Sequence, residues 1–122
     1  MARRARGGTL QNTVVLLDGQ ANHPREILGN KGHGIDTMRR LSLPVPPAFC
    51  ITTEVGVRYL DEPGPTIEAI WADVVDRMSW LESETSRTFG RGPRPLLISV
   101  RSGDLDACVM AIKACQPSGW AR

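Results

Sequence analysis

The sequence predicts an α+β domain in mixed α/β order, with a small sheet covered by helices. Three observations carry that prediction. Short apolar runs bounded by polar, glycine or proline residues recur at Thr13–Gly19 (TVVLLDG), Ala48–Thr52 (AFCIT) and Leu96–Val100 (LLISV). Between the second and third runs, apolar residues repeat with helical spacing. An apolar content of 41% over 122 residues suits one small packed domain rather than a disordered chain.

Residues 1–12 open with MARRARGG and are expected to be a basic disordered leader. TVVLLDG reads as a buried strand closed by a turn, and QANHPRE as a polar loop. From His33 to Leu41 the apolar positions Ile35, Met38 and Leu41 recur every three residues, which predicts a short helix. Pro44, Pro46 and Pro47 exclude helix from LPVPPAF and favour an extended approach to the second strand. Thr52 or Thr53 can then cap a helix running to Leu60.

DEPGPT reads as a turn, with Thr66 as the next cap. Ile67, Ile70, Trp71, Val74, Met78 and Leu81 form the apolar stripe of a long helix, and Gly90 is its expected stop. RGPRP is a rigid loop, and LLISV, the third strand, delivers Arg101-Ser102-Gly103 at its end. Over residues 104–122, Leu105, Cys108, Val109, Ile112 and Cys115 have the spacing of an amphipathic helix.

Composition narrows the function classes. Net charge is +2, and no segment has the roughly 18 consecutive apolar residues of a membrane helix. Neither a nucleic-acid nor a membrane partner is expected. The three cysteines, Cys50, Cys108 and Cys115, make no C-x-x-C pair, so neither a zinc site nor a disulfide framework is indicated. A reducing cytoplasm is the expected compartment. No Ser-His-Asp or Cys-His set can be identified by spacing, and His23 and His33 fall in predicted loops.

Two features can carry chemistry. Gly29-Asn30-Lys31-Gly32-His33-Gly34 places one of only two lysines among glycines at a helix entrance. Glycines let a ligand approach the backbone N–H groups, and a helix N-terminus favours anions. A lysine there adds a point charge for phosphate. The run is not a Walker A loop, and on local grounds it reads equally well as a turn with an exposed lysine. The second feature is Ser99-Val100-Arg101-Ser102-Gly103, where the planar fork of Arg101 suits bidentate contact with phosphate oxygens, although on local grounds alone a surface arginine at a strand end is the favoured reading.

Taken together, REILGNKGHGIDTMRRLSLPVPPAFCITTE, a long helix and PLLISVRSG resemble the start of the pyruvate, phosphate dikinase family. The family pattern there is approximately LLGGKGANLAEM, then GLPVPPGFTITTE, then LVSVRSGA. The resemblance covers residues 13–103, and its motifs keep the family's order. It implies the first subdomain of an ATP-grasp-type nucleotide-binding domain. It also implies a kinase-type transferase reaction, from ATP, phosphate and pyruvate to AMP, pyrophosphate and phosphoenolpyruvate.

By that resemblance Lys31 matches the family's ATP-binding lysine and Arg101 its phosphate-binding arginine. Gly29, Gly32 and Gly103 match motif glycines. Asn30 stands where the family has a glycine, and His33-Gly34 where it has an Ala-Asn-like pair.

After Gly103 the chain departs from the pattern. The glycine–methionine loop SMPGMMDT, the acids that hold Mg²⁺, the swivelling domain with its HTSH-like histidine motif and the pyruvate-binding barrel have no match here. The expectation is therefore a truncated fragment with no catalytic residues or metal ligands of its own, and weak or no affinity for Mg-ATP. The alternatives are one chain of a split phosphotransferase, completed by a second polypeptide, or a non-catalytic interaction module.

Overall fold

A computed structural model describes residues 13–102 and 107–111. The fold is α+β. Its elements are β1 (Val14–Leu16), α1 (Arg25–Arg40), β2 (Ala48–Ile51), α2 (Thr53–Asp61), α3 (Pro63–Thr85), β3 (Ile98–Ser102) and β4 (Ala107–Ala111). The strands form one antiparallel sheet in the order β1-β2-β4-β3.

Strand alternation sorts the sheet into two faces. Val14, Phe49, Val109 and Ala111 pack with Val55 of α2 and Ile70 and Leu81 of α3. Leu17, Ala48, Cys50 and Cys108 pack on the opposite face with Leu28 and Ile35 of α1. The sheet is therefore covered on both sides at β2 and β4, while the edge strand β3 is exposed from Val100 to Ser102.

The largest difference from expectation is β4. Residues 107–111 are a strand inside the sheet, paired with β2 on one side and β3 on the other, and not part of a helix. Alternate residues of ACVMA face the two apolar layers, with Cys108 and Val109 both buried. Two flanking strands satisfy its backbone, which outweighs the helical spacing seen in the sequence. Leu105, Ile112 and Cys115 lie outside the described residues, as does the basic leader.

Smaller differences have local causes. Helix α3 begins at Pro63, not after Thr66, because proline is preorganised for the first helical position. Thr66 is consequently a buried residue inside the helix rather than a cap. The apolar face is rotated from the expected stripe: Ile70 and Leu81 are buried, but Ile67 is 43% and Trp71 58% exposed. The helix stops at Ser86 in a left-handed conformation, before Gly90. Strand β3 starts two residues later than expected and takes in Arg101.

One buried carboxylate fastens β1 to α1. Asp36, 1% exposed, accepts hydrogen bonds from the backbone N–H of Gly19 at 2.7 Å and of Ala21 at 3.4 Å. Its second oxygen accepts from the Arg40 guanidinium at 2.9 Å, one helical turn on. Gly19 adopts φ +90°, and an added Cβ would lie 3.0 Å from the Arg40 backbone nitrogen. Only glycine fits there.

Three stability changes follow. Gly19→Ala should lower unfolding stability by about 2 kcal/mol or more, through the disallowed φ and the backbone clash. Asp36→Ala should cost about 2–3 kcal/mol by leaving the Gly19 N–H buried and unpaired. Thr66 Oγ1 is buried with no partner among the described residues. Thr66→Val should therefore be neutral or stabilise by up to ~1 kcal/mol. Urea unfolding of the three variants reads these out.

Candidate functional site

The glycine–lysine run lies inside α1, not in a loop before it. Gly29, at φ 79° and ψ 166°, interrupts the helix and starts a second helical run at Asn30. The expected helix entrance is therefore present, preceded by one helical stretch from Arg25 that the periodicity did not reveal. His33 is helical and half-buried, contrary to its predicted loop position.

The break at Gly29 disrupts carbonyl pairing in the first stretch of the helix. Side chains from the β2–α2 junction supply donors there. The Cys50 thiol donates to the Leu28 carbonyl at 3.3 Å, and the Thr53 hydroxyl donates to the Glu26 carbonyl.

Gly32 is buried directly against β2. A Cβ at this position would lie 3.2 Å from Cys50 Sγ and 3.4 Å from the Leu28 Cβ. Glycine thus allows α1 to approach the sheet closely. Gly34, by contrast, has open space where its Cβ would be. Lys31, beside Gly32, is exposed, and no hydrogen bond or ion pair engages it among the described residues.

Arg101 lies on the same side of the sheet. Register pairs Val15 with Cys50, Cys50 with Cys108, and Cys108 with Arg101, one continuous row across all four strands. Cys50 and Cys108 belong to the α1 face, so Arg101 does too. About two strand spacings, roughly 10 Å, separate Cys50 from Arg101. Arg101 is exposed, and its Nε donates to Ser99 Oγ at 3.2 Å. Its terminal nitrogens have no partner among the described residues.

Lys31, about seventy residues from Arg101 in sequence, lies on α1, the helix that Gly32 seats on the side of the sheet to which Arg101 belongs. Two exposed cations on one side of the sheet suit phosphate oxygens. Gly103 lies outside the described residues. Among the described residues no group of three or more His, Cys, Asp or Glu could hold a metal ion. A groove of about 440 Å³ runs along β1, lined in part by Asp18, Gln20 and Arg77. Neither Lys31 nor Arg101 lines it. No helix among the described residues is long and apolar enough to cross a membrane.

The sequence does not single out the supports of this face. Cys50 and Thr53 become visible only once β2 is laid under α1. Asp36 and Arg40 carry a weak signal, opposite charges one helical turn apart, but nothing local points from Asp36 to Gly19.

The close contact at Gly32 is testable by a double-mutant cycle. Gly32→Ala alone should destabilise by about 1 kcal/mol, overpacking outweighing the gain in helix propensity. In a Cys50→Ala background the same change should become neutral or stabilising. Chemical denaturation of the four proteins measures the coupling.

No family model matches the chain. It is 40% identical over 79 residues to pyruvate, phosphate dikinase 1, chloroplastic, of Zea mays, covering 65% of this chain and 8% of that protein. It is 35% identical over 94 residues to the pyruvate, phosphate dikinase of Entamoeba histolytica, covering 77% of this chain and 10% of that protein. The Clostridium symbiosum pyruvate, phosphate dikinase is 35% identical over 79 residues, covering 65% of this chain and 9% of that protein. The chain spans about a tenth or less of the length of these relatives. Over 65–77% of its length, this chain is a homologue of one segment of the pyruvate, phosphate dikinases.

Proposed function

We propose that this chain is an ATP-phosphate-binding segment of pyruvate, phosphate dikinase type, and that it does not catalyse phosphoryl transfer by itself. The observation that carries the reading is that α1, which bears Lys31, packs on the side of the sheet to which Arg101 belongs. Lys31 acts as a point charge on phosphate oxygens. Arg101 offers its terminal nitrogens as a fork to a neighbouring phosphate. Backbone N–H groups at the start of the helical run after Gly29 add partial positive charge at the same end of α1.

Phosphoryl transfer needs positioning and neutralisation of oxygen charge. The two cations serve neutralisation. The remaining parts of the family reaction, in which ATP, phosphate and pyruvate give AMP, pyrophosphate and phosphoenolpyruvate, fall to other segments or to a second polypeptide.

Isothermal titration of the full chain with Mg-ATP tests this. Weak binding should be seen, and Lys31→Ala or Arg101→Ala should each reduce it about tenfold or abolish it, since a charge-assisted contact is worth about 1.5–3 kcal/mol. Tight binding indifferent to both substitutions would remove Lys31 and Arg101 from the site.

A second reading, an interaction module, is favoured by one further observation. Ile67, Trp71 and Val75 repeat every four residues along α3 and are all exposed, as are Val57 and Leu60 of α2. Such a surface suits burial against another segment or a second polypeptide. Sedimentation velocity should then show concentration-dependent association that Trp71→Glu relieves. Monomeric behaviour of the wild-type chain at all concentrations counts against it.

A further inference from the structure

We propose that Cys50 and Cys108 form a redox-modification site, at which a peroxide oxidises the two thiols to a disulfide joining β2 to β4. This inference does not depend on the nucleotide reading. The cysteines are 58 positions apart in sequence, yet β2 and β4 pair so that they face each other directly.

The ladder fixes which kind of pair they are. The Ala111 N–H donates to the Pro47 carbonyl at 2.9 Å, so Pro47 and Ala111 stand at a hydrogen-bonded position. Hydrogen-bonded and non-hydrogen-bonded pairs alternate along an antiparallel ladder. Counting inward through Ala48–Met110 and Phe49–Val109, the Cys50–Cys108 pair is non-hydrogen-bonded. Such pairs have Cα atoms about 4.5 Å apart, within the roughly 4.4–6.8 Å that a disulfide spans. Both side chains lie on the α1 face and are fully buried. Both are in the thiol form in this structure.

The chemistry balances with the peroxide as the only co-reactant. The first thiol attacks the peroxide O–O bond, becomes a sulfenic acid and releases one water. The second thiol's sulfur attacks that sulfur, the S–O bond breaks, and the hydroxyl leaves as a second water with the remaining thiol proton. Two thiols are oxidised by two electrons, and one peroxide is reduced to two waters.

The modification has a structural consequence at α1. The Cys50 thiol is the donor to the Leu28 carbonyl, and Cys50 Sγ is the atom on which Gly32 rests. A disulfide removes that donor and redirects that sulfur, while tying β2 to the strand beside Arg101. The oxidation state of the pair therefore acts on the first stretch of α1, just before the break at Gly29.

The test is peptide mapping of the full chain after hydrogen peroxide treatment, with remaining thiols alkylated under denaturing conditions. The expected result is a Cys50–Cys108 linked peptide, two hydrogens lighter than the separate peptides and split by reductant. It should persist in Cys115→Ser and disappear in Cys50→Ser and Cys108→Ser. The oxidised chain should unfold at least several degrees above the reduced one, because the link joins strands already in register. The proposal is overturned if Cys115 is the partner of either residue, if the cysteines link only between chains, or if both thiols stay alkylatable. A lower unfolding temperature on linkage also overturns it.

Discussion

The close approach of α1 to β2 at Gly32 is the constraint on which the rest of this structure depends. With no Cβ, Gly32 lets the helix backbone settle against Cys50. A side chain at this point would lift the helix away from the sheet. The approach sets the depth of the layer formed by Leu17, Leu28, Ile35, Cys50 and Cys108. It also fixes where the neighbouring residue, Lys31, leaves the surface. Further along the helix, the Asp36 carboxylate fastens the same element to the loop after β1 through Gly19 and Ala21. One helix is thus anchored at two places, by packing near its break and by hydrogen bonds beyond it.

That double anchoring gives the glycine run a second purpose. In sequence the glycines suggest a loop shaped around a ligand. In the fold they do different work: Gly29 breaks the helix at a positive φ, Gly32 makes the close contact, and Gly34 faces open space. The glycine that sequence chemistry offers to a phosphate, Gly32, is the one that admits a strand to the helix. Arg101 joins this arrangement through β4, the strand between it and Cys50. The phosphate-facing reading therefore rests on sheet register as much as on motif chemistry.

Much of the fold was legible in the sequence because its signals are local. TVVLLDG and AFCIT are short β-rich runs with clear breakers, and α3 is long enough for its period to stand out. What was not legible depends on partners. ACVMA has helical spacing on paper, and only pairing with β2 and β3 makes it a strand. The rotation of α3, which buries Thr66 and exposes Trp71, follows from where the helix starts at Pro63 and how it lies on the sheet. Residue chemistry and family resemblance single out Lys31 and Arg101 as candidates. Their common side of the sheet was not legible, because it needs a row of four residues drawn from four strands. Asp36 was missed for a similar reason: its main partners are backbone groups, which leave no mark in the residue pattern.

The central claim is that Lys31 and Arg101 serve one anion on the α1 face. The most direct measurement is a ¹⁵N NMR titration of the full chain with Mg-ATP, following the backbone amides of residues 30–34 and the Arg101 Nε–H signal together. The account predicts that both sets shift and saturate with a single dissociation constant. Shifts confined to the β1 groove around Gln20 and Arg77, or saturation of the two sets at different ATP concentrations, would contradict it.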